Sequence, residues 1–176
     1  MSTDAEMTWK IVEENGNKFA ELQPQPIQDG GLLIGPSVKG AATVRAKFQA
    51  GSKRRVHPRF GVGLHGTGGF RVRVVPALKV LEIAQNDGQT DTQLASAPLD
   101  WKPDTWVWVE IAVLKNDKGG STIEARSWAD GAPRPDQPIA THTAAAPPGS
   151  GKASVWGTPY SEKPIRVDDV TVTPAP

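Results

Sequence analysis

A chain of 176 residues with a net charge of +1 is long enough for one sizeable core, covering about two-thirds of its unfolded surface on folding. The lack of cysteine excludes a disulfide framework, a thiolate metal centre and a cysteine nucleophile, and the charge balance points to neither nucleic acid nor an anionic membrane. Eighteen glycines and sixteen prolines punctuate short apolar runs, as turns do in an all-β chain. The opening MSTDAEMTWK is acidic and lacks an apolar stretch, so no signal peptide is read there, and no run is long enough for a helical membrane span.

Period-2 alternation recurs along the chain and no helical period persists. Trp9–Val12 and Lys18–Leu22 read as strands joined by a turn at Asn15-Gly16-Asn17. Gln23-Pro24-Gln25-Pro26 lacks the amides of a central strand and reads as a connection, and Asp29-Gly30-Gly31 turns into Leu32–Ile34. In Ala41–Gln49 the residues Ala42, Val44, Ala46 and Phe48 share one face. Beyond the basic loop Ser52–Arg55, Phe60–Leu64 turns Phe60, Val62 and Leu64 inward and leaves Gly61, Gly63 and His65 opposite. Phe70–Val75 turns Phe70, Val72 and Val74 inward and Arg71 and Arg73 outward.

Lys79–Ala84 and Thr105–Leu114 follow as strands, the second with Val107, Val109, Ile111 and Val113 on one face. Asn116-Asp117-Lys118-Gly119-Gly120 is a hairpin loop, and Thr122–Trp128 pairs back across it. Residues 129–151 are rich in Pro and Ala and read as irregular, and Lys152–Trp156 and Ile165–Val172 close the sheets. Many short strands joined by such loops predict an all-β, two-sheet antiparallel sandwich spanning residues 1–176 as one domain. Val44, Phe48, Phe60, Val62, Val72, Val109, Ile111 and Val113 are the expected core.

The last third carries a resemblance. Trp106–Val113, a Gly-rich hairpin, and a strand ending Trp128-Ala129-Asp130-Gly131-Ala132-Pro133 are similar to the strand pair of laminin-G-like and 3-keto-disaccharide-hydrolase-like domains. The close, Gly151–Gly157 and then Pro164–Val172 with Asp168-Asp169, is similar to that group's terminal strand. The match covers residues 101–172 and resembles the concanavalin A-like lectin/glucanase group. It implies a jelly roll used for sugar binding, glycoside cleavage or adhesion, in an extracellular or periplasmic setting. It also implies a structural calcium ion as the one candidate cofactor, with Asp168 or Asp169 and a loop acid such as Asp29 as ligands.

Catalytic signals are weak. A glucanase needs two carboxylates roughly 5–10 Å apart, and the Glu-x-Asp-x-Glu signature is absent, while Glu82, Glu110 and Glu124 lie singly on separate strands. Gly61–Gly66 fits G-x-G-x-x-G, yet no helix follows to receive a pyrophosphate, so small residues on a strand's open face are the better reading. No histidine pair has metal-ligand spacing.

The basic residues are the most distinctive feature. Arg55 and Arg59 precede one strand, and Arg71 and Arg73 share the outward face of the next, where pairing sets them beside Gly61, Gly63 and His65. This predicts an open glycine floor rimmed by donors, bordered by an aromatic ring such as Trp128, against the alternative of a solvated face. Arg71→Ala or Arg73→Ala is then expected to weaken binding by about 1–3 kcal/mol and to spare the melting temperature. The leading expectation is a non-catalytic domain binding carbohydrate or glycoconjugate. A hydrolase of the 3-keto-disaccharide type and a structural or adhesive module are the alternatives.

Overall fold

A computed structural model describes residues 9–25, 29–87 and 89–175; the first eight residues and Pro26, part of the expected connection, lie outside the described residues. Thirteen strands, β1 (Trp9–Glu14), β2 (Asn17–Leu22), β3 (Gly30–Lys39), β4 (Ala42–Ala50), β5 (Arg59–Leu64), β6 (Phe70–Val75), β7 (Val80–Asn86), β8 (Asp91–Pro98), β9 (Trp106–Lys115), β10 (Ser121–Ala129), β11 (Ala140–Ala144), β12 (Ser150–Thr158) and β13 (Ile165–Pro174), form the described part, with no helix among the described residues. Seven strands pair in the order β1-β2-β13-β4-β9-β10-β11, and six in the order β3-β12-β5-β6-β7-β8. Every pairing is antiparallel.

The alternation read from the sequence decides which face is buried. The eight residues expected in the core are all at most 1% exposed, and they pack in one cluster that draws on both sheets. Phe48 of the seven-stranded sheet stacks on Phe60 of the six-stranded sheet at 5.2 Å, joining the layers near their centre.

Two strands depart from expectation. Residues 91–98 carry no clear apolar alternation, yet β8 forms an edge strand beside β7, with only Leu94, Ala95 and Ala97 resting against the core. β11 lies inside the Pro- and Ala-rich stretch expected to be irregular, and pairs with β10 at the far edge of the other sheet. An edge strand needs partners on one side only, so proline neighbours and polar side chains are tolerated there.

Candidate functional site

The two sheets leave two outer faces, and the residues singled out from the sequence divide between them. On the six-stranded sheet the register sets Gly61 opposite Arg73 and Gly63 opposite Arg71, as the alternation requires. The glycine floor, however, is not open. Trp156 of β12 lies directly across from Gly31 on β3 and from Gly61 on β5. A Cβ on Gly31 would stand 2.2 Å from the Trp156 ring, and one on Gly63 would stand 2.5 Å from Ser154 Oγ and 3.1 Å from Trp156 Nε1. Gly31 and Gly63 therefore make room for an indole, which donates a 2.6 Å hydrogen bond to Ser154 Oγ, while a Cβ on Gly61 would meet the Val72 carbonyl of β6.

Arg71 reaches across Gly63 and lies on that indole, its guanidinium carbon 3.5 Å from the ring centroid. Its Nη1 donates to both oxygens of Asp91 at 3.2 Å. Arg73 donates to Asp91 at 2.5 Å and, from Nε, to Glu82 at 2.8 Å. Arg71 and Glu82 are buried, at 6% and 4% exposure. Burial acts first on Arg71 and holds its pKa below an arginine's usual value, although Asp91 pulls the other way. The expectation that Arg71 and Arg73 stand free for a ligand is thus corrected. Both are tied into a buried charge network, and truncating either will disturb stability rather than spare it.

In front of this network lies a small cleft lined by Asp29, Arg59, Phe60, Arg71, Arg73, Trp156 and Thr158. Asp29 and Arg59 are its exposed members. Asp29 accepts a hydrogen bond from the Thr158 hydroxyl. Arg59 lies over the Tyr160 ring at 5.5 Å and has no carboxylate partner among the described residues. The cleft so brings together three of the expected arginines, an aromatic ring and a carboxylate.

Three expected members stand elsewhere. Arg55 is exposed in the loop before β5 and does not line the cleft. His65 follows β5 directly, with φ 68°, and hydrogen-bonds the Gly40 carbonyl at 2.9 Å. Burial lowers its pKa, so the neutral ring, with Nε2–H donating, is the favoured form. Trp128 sits on the opposite sheet, facing Trp108 across the β9–β10 pair, and stacks on it at 5.9 Å. Trp156 takes the place expected of Trp128. Its face was not readable without knowing that β12 inserts between β3 and β5.

On the seven-stranded sheet the motifs behind the family resemblance converge on one lysine. Lys47 pairs with Asp169 at 2.9 Å and Asp130 at 3.7 Å, and its ammonium lies 5.4 Å and 5.8 Å from the Trp106 and Trp108 ring centroids. Trp108 Nε1 also donates to Asp130 at 3.1 Å. Burial works against the Lys47 charge, but the Asp169 hydrogen bond with the charges of Asp169, Asp130 and Asp168 outweighs it and raises the pKa. Asp168 accepts from Asn17 Nδ2 at 2.8 Å and from the Asp169 amide at 2.8 Å.

These contacts do not fit a calcium site. Calcium takes six to eight oxygen ligands. Asp29 lines the cleft of one sheet, Asp168 and Asp169 belong to a strand of the other, and an ammonium already answers Asp169. Among the described residues no group of three or more His, Asp or Glu converges as a metal site.

Of the three carboxylates considered for glycoside cleavage, only Glu110 and Glu124 come near each other, on neighbouring strands and both held by Arg126. Glu82 belongs to the six-stranded network, while Glu110 and Glu124 are on the other sheet and share Arg126 Nη1 at 3.6 and 2.7 Å.

No family model and no curated protein sequence matches the chain. Solved structures do match in shape. The carbohydrate-binding module CBM66 from Bacillus subtilis superposes with a TM-score of 0.65 at 8% identity, over 94% of this chain and 95% of that one. A Bacillus subtilis protein of unknown function with a galectin-like fold gives 0.63 at 10% identity, over 95% and 86%. The metal-free carbohydrate recognition domain of Emp46p gives 0.59 at 14% identity, over 97% and 91%. At such low identity the likeness concerns the backbone alone, and it is a likeness of fold: the chain is a two-sheet antiparallel jelly-roll sandwich.

Proposed function

We propose that this chain is a non-catalytic carbohydrate-binding module that takes a saccharide at the Trp156 cleft. The observation that carries the reading is an exposed acid, Asp29, and an exposed arginine with no carboxylate partner among the described residues, Arg59, at the mouth of a cleft whose walls are fixed by buried charges. A sugar offers vicinal hydroxyls, each able to donate and accept, and a carboxylate beside a guanidinium answers both roles. Donors that are already immobile lose little entropy on binding. A network of buried ion pairs is weak evidence of stability, because apolar residues of the same volume often serve as well. Its presence behind an open cleft supports a role in recognition. That a carbohydrate-binding module and a carbohydrate recognition domain share the fold supports it further.

The test is a glycan array, followed by calorimetry on the ligand found. Arg59→Ala is expected to weaken binding by about 1.5–3 kcal/mol, the range for a charged hydrogen bond, or roughly ten- to hundredfold. The melting temperature should hardly move, since Arg59 is exposed and lies outside the buried network. Wild-type affinity in that variant, or an array with no bound glycan, defeats the proposal.

A further inference from the structure

The outer face of the seven-stranded sheet carries a second groove, lined by Thr43, Arg45, Glu110, Arg134, Thr171 and Thr173. Its organisation is set by an unusual choice of partners. Arg45 is directly opposite Glu110 on the neighbouring strand, where a cross-strand ion pair is the ordinary outcome. Glu110 instead accepts a two-pronged contact from Arg134, with Nε–Oε2 at 2.9 Å and Nη2–Oε1 at 2.6 Å, and lies 3.6 Å from Arg126.

The Glu110 carboxylate is consumed by those two arginines, and its side chain is only 2% exposed. Arg45 is left with a 3.3 Å contact from Nε to the Thr171 hydroxyl and a position 5.6 Å above the Trp108 ring. It has no carboxylate partner among the described residues. Arg134, with its side chain 40% exposed, reaches Glu110 through Nε and Nη2 and keeps Nη1 for another acceptor. Two guanidinium groups with unused donors thus flank one groove, beside a row of threonine hydroxyls and next to the Trp108–Trp128 stack.

From this arrangement we infer a second binding site, specific for an acidic saccharide whose carboxylate is held between Arg45 and Arg134. A guanidinium fork matches a planar carboxylate. The threonine hydroxyls of Thr43, Thr171 and Thr173 match sugar hydroxyls and would be superfluous for a free inorganic anion. This site is on the opposite sheet from the Trp156 cleft and does not depend on it.

The experiment compares a galacturonate trisaccharide, a neutral trisaccharide of the same linkage and inorganic sulfate, each titrated at low and at moderate salt. The uronate is expected to bind at least tenfold tighter than the neutral sugar, with affinity falling as salt screens the contact. Arg45→Gln should lose about tenfold in uronate affinity at an unchanged melting temperature. Arg59→Ala, in the other cleft, should leave uronate binding intact. Equal binding of neutral and acidic sugars, wild-type affinity in Arg45→Gln, or sulfate binding as tightly as the uronate would each overturn the inference. Loss of uronate binding in Arg59→Ala but not in Arg45→Gln would assign the acidic sugar to the first cleft and overturn it too.

Discussion

Replacing Asp91 with alanine is expected to cost about 3–5 kcal/mol of folding stability, the range found when one partner of a buried ion pair is removed. Asp91 receives Arg71 on both oxygens at 3.2 Å, Arg73 at 2.5 Å and Asn86 Nδ2 at 2.9 Å. Without it the one hydrogen bond left to Arg71 among the described residues is a 3.5 Å contact to the Thr67 carbonyl, beside its place on the Trp156 ring, and its Nε already has no acceptor. For a chain of this size the melting temperature should fall by on the order of 10 °C. Asp91→Asn, which keeps an acceptor but no charge, should fall between alanine and wild type. A melting temperature within a degree or two of wild type in Asp91→Ala would mean that the six-stranded face is not held as described. The sugar-binding reading adds a condition: the alanine variant should lose ligand affinity together with stability, because Arg71 no longer holds its place on Trp156.

Glu110→Ala should cost a similar amount, toward the lower end of about 3–5 kcal/mol. Glu110 is 1% exposed and lies against Arg126, itself 5% exposed, and Arg134. Arg126 retains Glu124 and the carbonyls of Pro135 and Asp136, which softens the loss. Arg134 retains nothing of its two-pronged contact, and the Glu110 hydrogen bond is the first reason its pKa is raised. Glu110→Gln, still able to accept from Arg134, is expected to recover part of the stability. If thermal melts show the alanine variant as stable as wild type, Arg134 is not anchored as the second groove requires.

The core was legible because clean alternation leaves little freedom: a strand such as Ala42–Ala50 can bury Val44 and Phe48 together in only one way. The same rule gave the pairing of Arg71 and Arg73 with the glycines. What alternation does not give is the identity of an edge strand. β8 was unread, and β8 brings Asp91, the carboxylate that Arg71 and Arg73 share, as the first residue of a strand without an apolar pattern. The Arg73–Glu82 pair lies instead on strands that were read, and needed only the pairing of β6 with β7. Trp128 and Trp156 each end a strand legible in the sequence, and only Trp128 is the bordering ring expected from it. Which of them joins the cleft depends on sheet membership, a long-range fact that one strand's pattern does not contain. The Asp130-Gly131 turn and the Asp168-Asp169 pair were legible as motifs, but their meeting at Lys47 requires β9, β10, β4 and β13 to be assembled first.

The central claim is that a saccharide enters the Trp156 cleft, and chemical-shift mapping on isotopically labelled protein tests it most directly. Titration with a glycan found on the array should move the Trp156 indole N–H signal and the backbone amides of Arg59, Gly157 and Thr158, the residues at and beside the cleft mouth. The signals of Trp108 and Trp128, on the other sheet, should stay in place with a neutral sugar. Shifts confined to Trp108, Trp128 and their neighbours, with Trp156 silent, would contradict the account.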